Sequence, residues 1–507
     1  MKLFYYTCKV YMKYSVLFPT LVHFLYYKVM ISNFFIYNKY LFKELIMSKL
    51  KLFLILASAL LISCANPNDP GDDGTGGGNG GGGTGGGSQL TQNPSWFLTA
   101  EQQGKPLNFQ EQILFDTTDG QKYRIPAIIC ADNGNLIAFA DDRHSHGSDI
   151  GQSANAVDIV FKLSKDGGQT WSAIKTILPF STAGNQGINN KGDVIVFKSV
   201  NKPGTLVAIA ASGGAWFGSG NPQARFAQSK STDNGETWSQ WKEVGQNIWD
   251  EISTSGVGGV TKAGFLASGR GLTLVGKGNN KKGRMVAGLM AQNKNGNTVI
   301  YSIHSDDDGE TWHKGGYIGS SSDTPGGGQY NEPKVIAELN DGTLVMSTRN
   351  NMGGGSRMAA YSTDGGATWY SKKNNGGKKD TFGGWNDMKG SNTDSEGVVY
   401  TRVGEQDKNR MLHLHTTESS RKGMALYLSE NEADTWTKKL TLENASTDCC
   451  YNSIDVLPDG TVVALYERIS KSGHTYDIVF KKFNLFDITS GAEKYNADYY
   501  KDWYKSR

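Results

Sequence analysis

From about residue 108 to its end the chain alternates short apolar runs with clusters of Gly, Asn, Asp and Ser, and almost nothing there repeats at helical spacing. Typical runs are 136–140 (LIAFA), 158–163 (DIVFKL), 205–211 (TLVAIAA), 343–349 (TLVMSTR) and 461–467 (TVVALYE). Short, rich in branched side chains and bounded by turn formers, they predict the strands of an all-β protein. The pattern Ser-x-Asp-x-Gly-x-Thr-Trp interrupts the runs four times, beginning at Ser164, Ser231, Ser305 and Ser362. A fifth, worn copy at Ser429 keeps the Ser and the Thr-Trp and loses the Asp and Gly. Successive copies start 57 to 74 residues apart, longer than the ~50 residues of a kelch blade and suited to a long four-stranded unit. The expected fold is therefore a six-bladed β-propeller of four-stranded antiparallel blades, the last blade without a recognisable box.

Within each box the Asp is placed to accept from the backbone amides that follow it, the Gly to take a positive φ, and the Trp to pack beneath the turn. These are hairpin fasteners, and no catalytic part is expected of them. The fifth is expected to hold its turn more weakly. The acidic run at 305–309 lacks the alternate spacing and the distant Glu of a calcium loop, and no metal or cofactor is expected anywhere.

Segment 47–64 carries two lysines, an apolar stretch and Leu61-Ile62-Ser63-Cys64, the form of a bacterial lipoprotein signal peptide with Cys64 as the lipidated first residue of the mature chain. Residues 1–46 are crowded with Phe, Tyr, Lys, Ile and Asn but never complete a ~20-residue apolar span; they are expected to be upstream sequence from a mistaken start. Residues 65–95, dominated by Gly, suit a flexible tether. The catalytic domain is then 96–507, anchored to a membrane through Cys64 as an outer-membrane lipoprotein, surface-exposed or periplasmic.

A formal net charge of +3 from 52 basic and 49 acidic residues leaves no electrostatic case for nucleic acid. A monomer is expected. Cys130, Cys449 and Cys450 do not form a disulfide framework and read as small buried side chains, since neighbouring cysteines pair only under strain.

Chemistry is expected where inner strands converge on the propeller axis. Arg124 lies in Tyr-Arg-Ile-Pro, Arg349 ends the run TLVMSTR, and Arg421 precedes the run MALYLS. Three guanidiniums aimed at one point would make a strong carboxylate receptor, because each is planar, bidentate and permanently charged.

At these residues the chain resembles the exo-α-sialidases of the cellular, non-viral type, over about residues 115–480. Tyr123-Arg124-Ile125-Pro126, Phe139-Ala140-Asp141-Asp142-Arg143, Asn331-Glu332 with the run ending at Arg349, and Tyr451-Asn452-Ser453 followed by Leu465-Tyr466-Glu467 occur in that family's order. The resemblance implies Tyr451 as nucleophile, Glu332 as its base and Asp149 as acid/base. It implies Arg124, Arg349 and Arg421 on the substrate carboxylate, Glu467 orienting Arg124, and Arg143 and Asp193 on other sugar substituents. A tyrosine suits the task, since a carboxylate nucleophile would be repelled by the carboxylate on a sialic acid's anomeric carbon. The implied partners are sialylated glycans of glycoproteins and glycolipids. Alternatives are a non-catalytic sialic-acid-binding propeller and a trans-sialidase or intramolecular trans-sialidase. The stretch 387–396 fits the family only loosely, and His144 and His146 flank the Asp149 loop either as solvated side chains or as an influence on its pH profile.

Overall fold

The apolar runs become strands covered on both faces, which is why they read as continuous rather than alternating. Every residue of Leu206–Ser212 and of Leu136–Asp142 is buried, because each sheet packs against a neighbour on either side. The structure, a computed structural model, describes residues 91–506 except 118–119, 151–155, 179–189, 214–224, 256–262, 294–296, 321–329, 351–354, 391–392 and 472–474. The expected upstream stretch, signal peptide and most of the tether lie outside the described residues, which belong to the unit Gly87–Arg507.

The architecture is an all-β, propeller-like array of antiparallel meanders. Among the described residues its strands form five sheets of seven, five, five, six and four strands, a correction to the expected six uniform four-stranded blades. The cause is Thr437–Val456, a continuous strand of 20 residues. Its first part pairs with Lys422–Ser429 and its second with Val462–Arg468, so two meanders fuse into the seven-stranded sheet. The early strand Gln112–Phe115 pairs with Asp477–Phe483 near the end of the chain, covering an edge that would otherwise be free.

The boxes behave as fasteners between sheets. In each intact copy the Ser Oγ accepts from the Gly N–H at 2.8 to 3.0 Å and the Asp carboxylate accepts the Thr N–H at 2.8 to 2.9 Å. A Cβ on Gly168 would stand 2.5 Å from Phe480, and one on Gly235 2.5 Å from Ile137, so each of these turns abuts another sheet. The worn copy is not weaker in its bonding, contrary to expectation. Asn431 accepts the Thr435 N–H at 3.0 Å, Ser429 Oγ accepts the Ala433 N–H at 3.0 Å, and Ala433 itself takes the glycine conformation at φ 69°.

Strand register separates these fasteners from the predicted chemistry. In the four-stranded sheet Cys130 pairs with Leu136 and Leu136 with Ser164, while at the other end Arg124 pairs with Asp141. Six residues of strand, ~20 Å, lie between. Lys198, Leu206 and Ser231, and likewise Glu338, Leu344 and Ser362, repeat the arrangement, with Gly192 and Asn331 at the far ends of their strands.

Candidate active site

Strands of neighbouring sheets lie side by side, Tyr123–Cys130 next to Lys191–Lys198 on one side and Thr437–Val456 on the other. Four of them break register near the same end. The slips fall between Arg124 and Ala127, Gly192 and Ile195, Asn331 and Lys334, and Cys449 and Asn452. A bulge adds a residue and re-aims its neighbours. At three of the slips the backbone is left-handed at a non-glycine residue: Ile125 (58°), Asp193 (54°) and Glu332 (43°). Such backbones cost about 1–3 kcal/mol each and persist where the surroundings over-determine them.

Those surroundings are visible. Glu467, fully buried, accepts from Arg124 Nε at 2.7 Å and Nη2 at 3.1 Å, and also from the Ile125 N–H at 2.7 Å. One carboxylate thus clamps both the guanidinium and the bulge that aims it. Asp141, also fully buried, accepts the Asp193 N–H at 3.0 Å and faces Arg143 Nη2 at 3.4 Å. Gly192 leaves room for that carboxylate, since a Cβ there would stand 3.0 Å from Asp141 Oδ2.

The centre of the site is Tyr451. Its hydroxyl donates to Glu332 Oε1 at 2.5 Å, while Arg349 Nη1 donates to Glu332 Oε2 at 2.7 Å and to the tyrosine oxygen at 3.2 Å. The guanidinium carbons of Arg124 and Arg421 stand 5.5 and 5.6 Å from the centre of the Tyr451 ring. Burial and the Glu332 charge push the phenol well above its ordinary value, against the pull of Arg349 and Arg421. Burial also opposes the Glu332 carboxylate, but Arg349 and the Tyr451 hydroxyl outweigh it and hold Glu332 below the usual range. All three arginines are shifted up, through Glu467 for Arg124, Glu332 for Arg349, and the Cys450 and Tyr451 groups for Arg421, in each case against burial.

Three guanidiniums here face two paired carboxylates. Arg421 forms no ion pair with any described residue, and three guanidiniums gathered at one point suit the binding of an anion.

Beside this cluster, Arg143 Nη2 donates to Asp149 Oδ1 at 2.7 Å, and oxygens of Asp141, Asp149 and Asp193 lie within 4.8 Å of one another. Carboxylates this close share a cation; Arg143 supplies one. Asp193 is pushed well up by burial and by the Asp149 and Asp141 charges, with Glu332 contributing, and Asp141 is pushed to about 7 by burial against the pull of Arg143. Arg124 and Asp141 are register partners and the Asp193 N–H donates to Asp141, which sets the two clusters side by side, and the nine residues singled out from the sequence lie in them. Sequence reasoning missed Asp141 as a clamp, although it stands inside the quoted motif, and Tyr476, whose ring lies 4.9 Å from the Arg124 guanidinium. The loosely matching stretch is structural: Asp394 pairs with Lys334 at 3.0 Å, both buried, and the Glu396 N–H donates to Asn452 beside Tyr451.

Comparison with known proteins bears on the family and the fold. Residues 134–464 match the BNR repeat-like domain. A sialidase of Micromonospora viridifaciens is 26% identical over 383 residues, covering 72% of this chain and 53% of the relative. A sialidase of Bacteroides fragilis (strain YCH46) is 27% identical over 261 residues, 49% of this chain and 43% of the relative. The chain thus spans about half the length of the curated relatives it matches. Among solved structures, the Hadza microbial sialidase Hz136 superposes with a TM-score of 0.57 at 22% identity, covering 72% of this chain and 66% of that one. The intramolecular trans-sialidase from Ruminococcus gnavus superposes at 0.55 and 17% identity, covering 75% of this chain and 98% of that one. The structural likeness establishes a sialidase-like propeller fold; with the domain match over most of its length, the chain belongs to the bacterial sialidase family with BNR repeats.

Proposed function

We propose that the protein is a retaining exo-α-sialidase that releases terminal sialic acid from glycoconjugates, with Tyr451 as nucleophile. The observation that carries this reading is the 2.5 Å hydrogen bond from the Tyr451 hydroxyl to Glu332, set among the guanidiniums of Arg124, Arg349 and Arg421. A binding protein needs the arginines and has no use for a buried tyrosine wired to a base.

In the proposed reaction Arg124, Arg349 and Arg421 take the substrate carboxylate. A carboxylate arriving at Arg349 draws that charge away from Glu332 and leaves the glutamate more basic as it accepts the phenolic proton. The Tyr451 oxygen bonds to the anomeric carbon, the glycosidic bond breaks, and Asp149 gives its proton to the leaving oxygen. Water then attacks the same carbon, its proton passing to Asp149, while the departing Tyr451 oxygen recovers its proton from Glu332. Two displacements give net retention. Arg143 holds Asp149 and, with Asp193, lies where the sugar's other substituents are read.

The site is assigned to an envelope lipoprotein held through Cys64, with a Gly-rich tether giving the domain reach to glycans; the sequence at 47–95 supports this. The test of the activity is turnover of a fluorogenic sialoside by the unit from Gly87 onward, with product analysis. Free sialic acid released with retention is the expected result. Binding without turnover would favour a lectin, transfer to an added galactoside a trans-sialidase, and an anhydro sugar the intramolecular reaction.

A further inference from the structure

The loop that carries Asp149 is tied across by a single imidazole. His146 Nδ1 accepts the Ser148 N–H at 2.9 Å, and its Nε2 lies 2.7 Å from the Ala156 carbonyl oxygen. An amide N–H only donates and a carbonyl only accepts, so the two partners together admit one state of the ring: neutral, with the proton on Nε2. A second proton, on Nδ1, would point at the Ser148 N–H and abolish that bond.

The position of the tie gives it consequence. Ser148 directly precedes Asp149, whose Oδ1 accepts from Arg143 at 2.7 Å and from the Ile150 N–H at 3.0 Å, so the loop backbone decides where that carboxylate stands. Ala156 leads into Val157, whose N–H donates to Asn190 at 2.6 Å, and into the strand Asp158–Ser164. His146 therefore fastens the acid/base loop to the sheet.

We propose that neutral His146 is a positioning residue for Asp149, and that protonation of its ring releases the loop and lowers activity in acid. This rests on Asp149 being the acid/base of the reaction proposed above. The charged groups around the ring are His144, 6.4 Å away between ring centres, Lys122 packed against Gly147, the Arg143–Asp149 pair, and Asp142 and Asp158 on the adjoining strands. His144 provides the contrast within the same loop. Its Nε2 and Nδ1 lie 3.0 and 3.7 Å from the Asp158 and Asp142 carboxylates, so a doubly protonated His144 keeps both partners, whereas a doubly protonated His146 loses one.

His146→Gln separates the tie from the titration, because an amide oxygen can accept from Ser148 and an amide N–H donate to Ala156 while neither changes charge. With a sialoside substrate, His146→Ala is expected to lose kcat by about 10- to 100-fold, the cost of misplacing a catalytic group by ~1 Å, and His146→Gln to recover most of it. The parent is expected to show an acid-side inflection of kcat/KM that is absent in His146→Gln and retained in His144→Gln. Nitrogen NMR of the histidine-labelled parent should show His146 as the Nε2–H tautomer above the inflection and doubly protonated below it. An inflection that survives in His146→Gln, or a His146 that is charged or Nδ1–H at neutral pH, overturns the proposal. Failure of the parent to hydrolyse sialosides at any pH would refute the enzymatic reading instead, while the NMR titration would still test the tie.

Discussion

Removing the Glu467 carboxylate should damage stability and substrate capture together. Its oxygens accept two hydrogen bonds from Arg124 and one from the Ile125 amide, at 2.7 to 3.1 Å and with no exposure to water. Glu467→Ala leaves a mostly buried guanidinium without its counter-charge, and breaking such a pair from one side costs about 3–5 kcal/mol. A chain of this size loses about 1–2 °C of melting temperature per kcal/mol, by scaling from smaller domains, so the midpoint should fall by roughly 3–10 °C. Once unclamped, Arg124 loses its aim, and a charge-assisted contact to the substrate carboxylate worth about 2–4 kcal/mol goes with it. That corresponds to roughly 30- to 700-fold in kcat/KM. Glu467→Gln keeps an acceptor for Ile125 and should keep more stability than activity. Calorimetry and sialoside kinetics on the two variants check this. A Glu467→Ala protein that melts within about 1 °C of the parent and keeps kcat/KM within about threefold would refute the clamp.

Ala433→Gly should raise stability by up to about 1 kcal/mol, since a left-handed backbone penalises alanine by more than glycine's extra unfolded-state freedom costs; a lower melting temperature would contradict this. Asp141, pushed to about 7 by burial, binds its proton more tightly folded than unfolded, so its contribution is most favourable below the ordinary carboxylate range and is lost as pH rises toward 7. The stability of Asp141→Asn relative to the parent should therefore improve between pH ~4 and ~7, as read by denaturant titrations at several pH values; a constant difference would contradict the assignment.

How far the sequence foretold this arrangement differs from residue to residue. The boxes were legible because turn chemistry is local, and the gathering of Arg124, Glu332, Arg349 and Tyr451 because each stands in a short motif at the end of a strand or beside one. Asn431 and Ala433 show the limit of motif reading: asparagine accepts the same bonds as the aspartate it replaces, and alanine is held in the glycine conformation, so a worn copy functions as an intact one. The merging of two meanders through Thr437–Val456 was hidden because spacing records repeat length and not whether consecutive strands are continuous. The Asp141 clamp and the His146 tie depend on partners brought together by folding, and the left-handed backbones at Ile125, Asp193 and Glu332 contradict local preference. Departures from local preference are expected where strain holds side chains for chemistry.

The central claim is that the Tyr451 oxygen becomes bonded to the sugar. A sialic acid bearing fluorine at the anomeric carbon and at its neighbour supplies a leaving group while slowing the second displacement, and the protein treated with it can be digested and mapped by mass spectrometry. The expected result is one adduct, on the peptide containing Tyr451 and on its oxygen, lost in Tyr451→Phe. An adduct on Asp149 or Glu332, or turnover in Tyr451→Phe equal to that of the parent, would contradict the account.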